Sequence, residues 1–271
     1  MATAVAKKKN AELSTDFVSD MFEDGAEGAV FDADELQIPF LKIAQQMSPE
    51  LKKSDAKFIS GLSAGDFFNT LTSQVYEGQE GVDVIPCMIK TTYKEWIPLE
   101  KGGGFVQEFD ATDPEIKQAV RKEIGGKRVD ELPNGNELVI SDDVYCLVVN
   151  DGDFEPALIT MTSTQRKVAK RWKTRIAMNK ERNPKTNKLQ VVPIYSTIWK
   201  LTTVDETNRN NQTYSNYAVN KVRAIGSEDA DLFQEAKSFR KSIVLGQVKV
   251  QQENANPNNE TDPVADNEIP F

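Results

Sequence analysis

Ten lysines and arginines fall between Ser163 and Gln190, at Arg166, Lys167, Lys170, Arg171, Lys173, Arg175, Lys180, Arg182, Lys185 and Lys188, and the only acid among them is Glu181. A solvated helix normally interleaves both signs through i, i+4 pairs; a run of like charge carries instead a repulsion of roughly 0.2–0.5 kcal/mol per pair. Phosphates relieve that repulsion, and each one neutralised releases counterions. The competing reading is a solvated charged surface with no ligand. A second set of residues points the same way. Trp96 shares an alternating strand face with Lys90 and Lys94, and Tyr195, Trp199, Tyr214 and Tyr217 follow later, Tyr217 beside Lys221 and Arg223 on its own face. Aromatic rings stack on any base, contributing roughly 1–3 kcal/mol each, while cations track the backbone. Strands also favour aromatics for packing, so part of this set belongs to a core; Trp96 and Tyr217 are the two expected to be exposed.

Carboxylate chemistry is the third candidate. Asp142-Asp143 and Asp151-Gly152-Asp153 suggest a metal-dependent nuclease, but Asp and Gly suit a hairpin turn for backbone reasons, and the spacing lacks the Asp-x-Asp-x-Asp-Gly run of a calcium loop. The chain contains no histidine, which removes the usual general base and the commonest metal ligand. Cys87 and Cys146 sit singly in apolar strand-like runs with no Cys-x-x-Cys spacing, as reduced core residues would. No catalytic residue, metal or cofactor is expected.

From Gln247 to Phe271 the chain has Lys249 as its only cation and runs through Gln, Asn, Pro, Asp and Glu to Asp266-Asn267-Glu268-Ile269-Pro270-Phe271. Such a composition cannot bury enough apolar surface to offset its conformational entropy, so a solvated tail is expected. It ends on two large apolar residues, which fit a docking peptide: Ile269 and Phe271 fill pockets, Pro270 lowers the entropy lost on binding, and a terminal carboxylate offers an anion to a partner's arginine. The ending resembles the C-terminal tip of bacterial and phage single-stranded-DNA-binding proteins, an acidic run closed by Ile-Pro-Phe, although Asn267 interrupts the acids. The resemblance covers the tail alone. It implies a partner-docking role for Asp266, Glu268, Ile269, Pro270 and Phe271, with replication or recombination proteins such as a polymerase, helicase or nuclease as the partners. The same tripeptide at Ile38-Pro39-Phe40 leads straight into Leu41 and Ile43 and is read as the start of the folded part.

The net charge of −9 and pI near 4.9 look wrong for a nucleic-acid binder, but the acids crowd two terminal arms, from Glu12 to Glu35 and from Glu253 to Glu268. No apolar run approaches the ~18 residues of a membrane span and no signal peptide is visible. The expectation is a soluble cytoplasmic protein, in the host bacterial cytoplasm if phage-encoded.

The elements that must position these residues follow from periodicity and turn signals. Residues 1–36 read as a disordered acidic arm. Ser48-Pro49-Glu50 reads as a helix start, 66–72 as a strand, and 82–98 as the longest strand, bent at Pro86, with Ile85, Cys87, Ile89 and Tyr93 on one face and Val84, Met88, Lys90, Lys94 and Trp96 on the other. A short strand is expected at 105–109 and a helix at 116–124, started by Asp113-Pro114 and stopped by Gly125-Gly126. Hairpins are expected at Asn134-Gly135, joining 127–132 to 137–140, and at 150–153, joining 144–149 to 154–161. Ser163 caps a basic helix through Ile176 whose stripe of Val168, Trp172 and Ile176 faces a core. A polar loop follows, then strands at 191–204 and 212–225 and a closing helix from Ser227 with Leu232, Phe233, Ala236, Phe239 and Ile243 inside.

The pattern is mainly β with inserted helices, an α+β class, and is most like a partly open five-stranded barrel of the OB-fold type with embellishments, occupying residues 37–246 between the arm 1–36 and the tail 247–271. The expected function is sequence-independent binding of single-stranded DNA, with the tail resting in the basic groove as a phosphate mimic when DNA is absent. The alternatives are a strand-annealing recombination protein, a metal-dependent nuclease, and a scaffold that only displays the tail. A homo-oligomer is compatible with any of them.

Overall fold

The computed structural model describes residues 37–124, 127–150, 153–207, 211–248 and 250. The acidic arm 1–36 and the tip Asp266, Glu268, Ile269, Pro270 and Phe271 lie outside the described residues.

Two long strands organise the rest. β4 (Val82–Trp96) and β8 (Glu137–Asn150) pair antiparallel along nearly their whole length, from Asp83 opposite Val149 to Trp96 opposite Glu137. The far edge of β4 takes β12 (Thr197–Thr207) at its start and β5 (Phe105–Phe109) at its end. The far edge of β8 takes β9 (Asp153–Thr162) along residues 141–150 and β7 (Lys127–Glu131) at residue Glu137. With β13 (Thr213–Ala224) on β12 and β6 (Val120–Ile124) on β7, two half-sheets share one ribbon. One runs β13-β12-β4-β8-β9, the other β5-β4-β8-β7-β6. The class is α+β and mainly β; no pairing between β9 and β13 closes the sheet into a barrel among the described residues.

Both faces of the first half-sheet are covered. On one, Val84, Val144, Cys146, Ile159 and Trp199 pack beneath Ala169 and Trp172 of helix α1 (Gln165–Ala177) and beside Leu41, Ile43 and Phe67 of a small sheet. That small sheet comprises β1 (Leu41–Ile43), β2 (Phe67–Asn69) and β3 (Val75–Tyr76). On the other, Ile85, Cys87, Leu147 and Ile198 lie under Ala236 of helix α2 (Ala230–Val244), with Leu232 and Phe239 beside it. The apolar stripes expected for both helices are the surfaces that dock. Each thiol is buried and free, and burial pushes Cys87 up to about 12 and Cys146 well above the usual range, so both are inert packing groups. Ile38 and Phe40 are buried against Leu158, and the Leu158 N–H donates to Pro39 O at 2.9 Å, so this tripeptide is packed into the fold.

Several elements differ from the sequence expectation for identifiable reasons. A bulge at Cys87, where Pro86 faces Cys146 and Met88 already faces Tyr145, inserts one extra residue into β4. Because side chains alternate with period two, the insertion moves Ile89 and Tyr93 to the face opposite Ile85 and Cys87. The expected helix at 116–124 is a 3-10 turn, Pro114–Gln118, followed by β6. Asp113 does cap it, accepting the Glu115 N–H at 2.9 Å, but Arg121–Asp130 and Lys122–Glu131 ion pairs across β6 and β7 favour the ladder after Ala119. The strands expected at 137–140 and 144–149 are one continuous strand through Ser141-Asp142-Asp143. Pro49–Leu51 is only a 3-10 turn. Pro193, which has no N–H to donate, separates β11 (Leu189–Val191) from β12 where one strand was expected. The basic helix begins at Gln165 with Thr164 as its N-cap and no side-chain cap bond, so Ser163 does not cap it.

Candidate nucleic-acid interface

Helix α1 turns Trp172 inward and leaves Lys167, Lys170 and Arg171 exposed, and none of the three makes an ion pair among the described residues. The other cations of the helix have intramolecular partners. Lys173 Nζ reaches Asp142 Oδ1 at 2.6 Å and Arg166 Nε lies 3.4 Å from Asp142 Oδ2, so a carboxylate buried in β8 anchors two cations of the helix. The Arg175 guanidinium stacks 5.2 Å over the Trp199 ring and donates to Val219 O. Each of the three keeps an exposed portion, but its first duty is to hold α1 to the sheet.

The segment after α1, expected as a loop, is a two-stranded hairpin. β10 (Lys180–Arg182) pairs with β11, all six residues are exposed, and the turn presents Lys185 and Lys188. Asn183 organises that turn: its Oδ1 accepts the Lys185 N–H at 2.9 Å and its backbone N–H donates to Lys188 O at 2.9 Å. Val192 N–H donates to Asn179 O at 3.2 Å, Asn179 Nδ2 donates to Thr197 Oγ1 at 2.9 Å, and Lys221 Nζ donates to Asn179 Oδ1 at 2.8 Å. Asn179 thus ties the hairpin base to β12 and brings exposed Lys221 beside it. The result is one cationic surface made of the outer side of α1, the hairpin and the end of β13, with Glu181 as its only acid between Ser163 and Gln190.

The strand cations and aromatics behave differently. Trp96 is 1% exposed and packs edge-on against Phe105, and Tyr217 is 4% exposed against Phe67, so neither ring is open to a base. Lys94 is 1% exposed with its ammonium 2.7 Å from Asp143 Oδ2. The ribbon is covered where a solvated face was expected: the β4–β8 register brings Asp143 within reach of Lys94, and Phe105 packs on Trp96, while Tyr217, on β13, is covered separately by Phe67 of the small sheet. Trp199 and Tyr214 are buried too, and Tyr195 is half-buried against Phe233. Lys90 remains exposed but pairs with Glu108 at 2.5 Å. Arg223 forms a two-pronged pair with Asp229, its Nη2 donating to Oδ1 at 2.8 Å. The Arg223 hydrogen bonds hold the Asp229 carboxyl down at about 2 against the opposing effect of burial, with the Gly226 N–H helping.

Asp142 and Asp143 leave β8 on opposite faces. Asp142 meets Thr91, Lys173 and Arg166, whereas Asp143 meets Thr92, Ser141 and Lys94. They cannot converge on one ion, and no group of three metal-capable side chains occurs among the described residues. Asp151 lies outside them. Glu95 is nearby and equally structural: burial raises its carboxyl, but amide donors from Asn136, Gln107 and Asn134 outweigh this and hold it below its usual range.

What the sequence reading missed is the apolar part of the hairpin. Leu189 and Val191 are among the most exposed large aliphatics described, and their Leu-Gln-Val alternation opposite Lys-Glu-Arg, across the Asn183-Pro184 turn, was the available signal.

The fold and surface define a mainly β protein with two sheet-covering helices and a projecting cationic helix–hairpin edge. The chain belongs to the Pam3 phage gp34-like protein family, whose model matches residues 7–249, which makes it a phage-type protein. No curated protein and no solved structure matches it.

Proposed function

We propose that this protein binds single-stranded DNA without sequence preference, by binding alone and without catalysis, in phage replication or recombination within the bacterial cytoplasm. The observation that carries the reading is the surface of Lys167, Lys170, Arg171, Lys180, Lys185 and Lys188, exposed and almost free of acids on a chain whose net charge is −9. A net-acidic protein that retains so concentrated a cationic surface bears a repulsion that phosphates would relieve. Barrel closure is not required by this reading, because a helix and hairpin on the edge of an open five-strand half-sheet offer a strand the same kind of track as an OB groove. The tail supplies the second activity: Ile269, Pro270 and Phe271 recruit a polymerase, helicase or nuclease, with Asp266 and Glu268 adding charge.

Titrating fluorescent oligothymidylate and a matched duplex at two salt concentrations tests the reading. The expected result is tighter binding of the single strand with a strong salt dependence. Equal and weak binding of both, or none, refutes it. Fragmentation of labelled DNA with magnesium or manganese would point to a nuclease instead.

A further inference from the structure

The register of the β10–β11 hairpin pairs Lys180 with Val191, Glu181 with Gln190 and Arg182 with Leu189. Directly opposed residues share a face of an antiparallel ladder, and side chains alternate along each strand. One face therefore carries Lys180, Arg182, Leu189 and Val191, and the other carries Glu181 and Gln190, with the Asn183 amide donating to Gln190 Oε1 at 2.8 Å. Leu189 is 62% and Val191 56% exposed. Arg182 braces the turn by donating to Asn187 O at 2.6 Å. Among the described residues the hairpin pairs with no other strand, so no described sheet lies beneath these aliphatics.

We propose that this face is the nucleobase-contacting subsite of the DNA interface, and the proposal rests on the DNA-binding reading above. Leu189 and Val191 pack against the faces of unstacked bases, while Lys180 and the turn cations Lys185 and Lys188 neutralise the adjoining phosphates. The chemistry selects this occupant over others. Two cations and no acid on the aliphatic face demand a ligand that alternates apolar plates with anions, which a single strand provides and a paired duplex hides. Trp96 and Tyr217, the two aromatics expected to be exposed to bases, are buried, so the base-contacting role passes to the hairpin. Because apolar contact is insensitive to salt whereas phosphate contact is not, the two contributions are separable by experiment.

The test uses the full chain, oligothymidylate, and an abasic oligonucleotide of equal length. In the double variant Leu189→Thr/Val191→Thr, threonine keeps strand propensity, so the hairpin persists. Its affinity for oligothymidylate should fall roughly tenfold, with little change for the abasic strand and an unchanged salt slope. Glu181→Gln, on the other face, should tighten both ligands alike. An unchanged oligothymidylate affinity in the double variant, equal losses on both ligands, or an altered oligomeric state at constant DNA affinity overturns the subsite; the last outcome would assign the face to contacts between copies. If the wild-type protein binds neither oligonucleotide, the DNA reading itself fails and takes the subsite with it.

Discussion

Lys94 and Lys170 are the same residue type, and the molecule treats them oppositely. On the β4–β8 ribbon, Lys94 is enclosed with Asp143, and Trp96 two residues on is sealed against Phe105. On α1, Lys170 is exposed beside Lys167 and Arg171, and no described carboxylate pairs with it. The difference lies in what each neighbour supplies. A strand brings a partner from far along the chain, here Asp143 from 49 residues away, whereas the outer side of a surface helix sees mainly its own sequence, which around α1 is nearly free of acids. A cation opposite a carboxylate in a buried ladder is part of the architecture; a cation in an acid-poor run is available to a ligand.

The sharpest way to break this contrast is Lys94→Ala. It leaves Asp143 buried and uncompensated and should cost ~3–5 kcal/mol in urea unfolding. Lys94→Met with Asp143→Val should restore most of it, since no buried charge remains and Thr92 and Ser141 keep the hydrogen bond between them at 2.7 Å. A stable Lys94→Ala protein with weakened DNA binding would instead make the ribbon part of the interface. Next in size, replacing Lys167, Lys170 and Arg171 together by alanine should leave unfolding within ~1.5 kcal/mol. The same change should reduce the slope of log affinity against log salt by about 2 for a single strand, as read by fluorescence titration. Arg175 sits between the two regimes. Arg175→Ala removes the stack on Trp199 and the bond to Val219 O and should destabilise the fold by ~1–2 kcal/mol, measured as a lowered Tm.

The smallest effect concerns the exposed pair at the start of α2. Because the folded-state value of Asp229 is depressed to about 2, the pair contributes stability that is fully present above the ordinary aspartate range near 3.8 and is lost as pH falls toward about 2. Carboxyl NMR should show Asp229 titrating below its neighbours, and Arg223→Ala should move it upward. A normal titration in the wild-type chain would remove Arg223 from the paired class and return it to the free cations.

Much of the fold was legible. The length of β4, the hairpin turn at Asn134-Gly135, strand β5 and the stripe of Val168, Trp172 and Ile176 all rest on local pattern, and the structure contains each of them. What escaped was nonlocal. One bulged residue at Cys87 moved Ile89 and Tyr93 across the sheet, and nothing near Pro86 reveals how many residues oppose the partner strand. Helix signals at Asp113-Pro114 were real for one turn, then cross-strand ion pairs of β6 and β7 prevailed. Within the candidate site, the free cations of α1 were readable from charge pattern. Trp96 and Tyr217 were misjudged because an aromatic on an alternating strand looks the same whether or not another layer covers it.

By itself, the amino-acid sequence determined the segregation of charge, the acidic arms against the acid-poor run from Ser163 to Gln190, and the amphipathic period that sends Trp172 inward, since both are properties of neighbouring residues. Only the tertiary structure decided which cations are spent on internal carboxylates and which aliphatics face water. That outcome depends on strand register and on which layer lies above each face, and register joins residues that the chain keeps far apart.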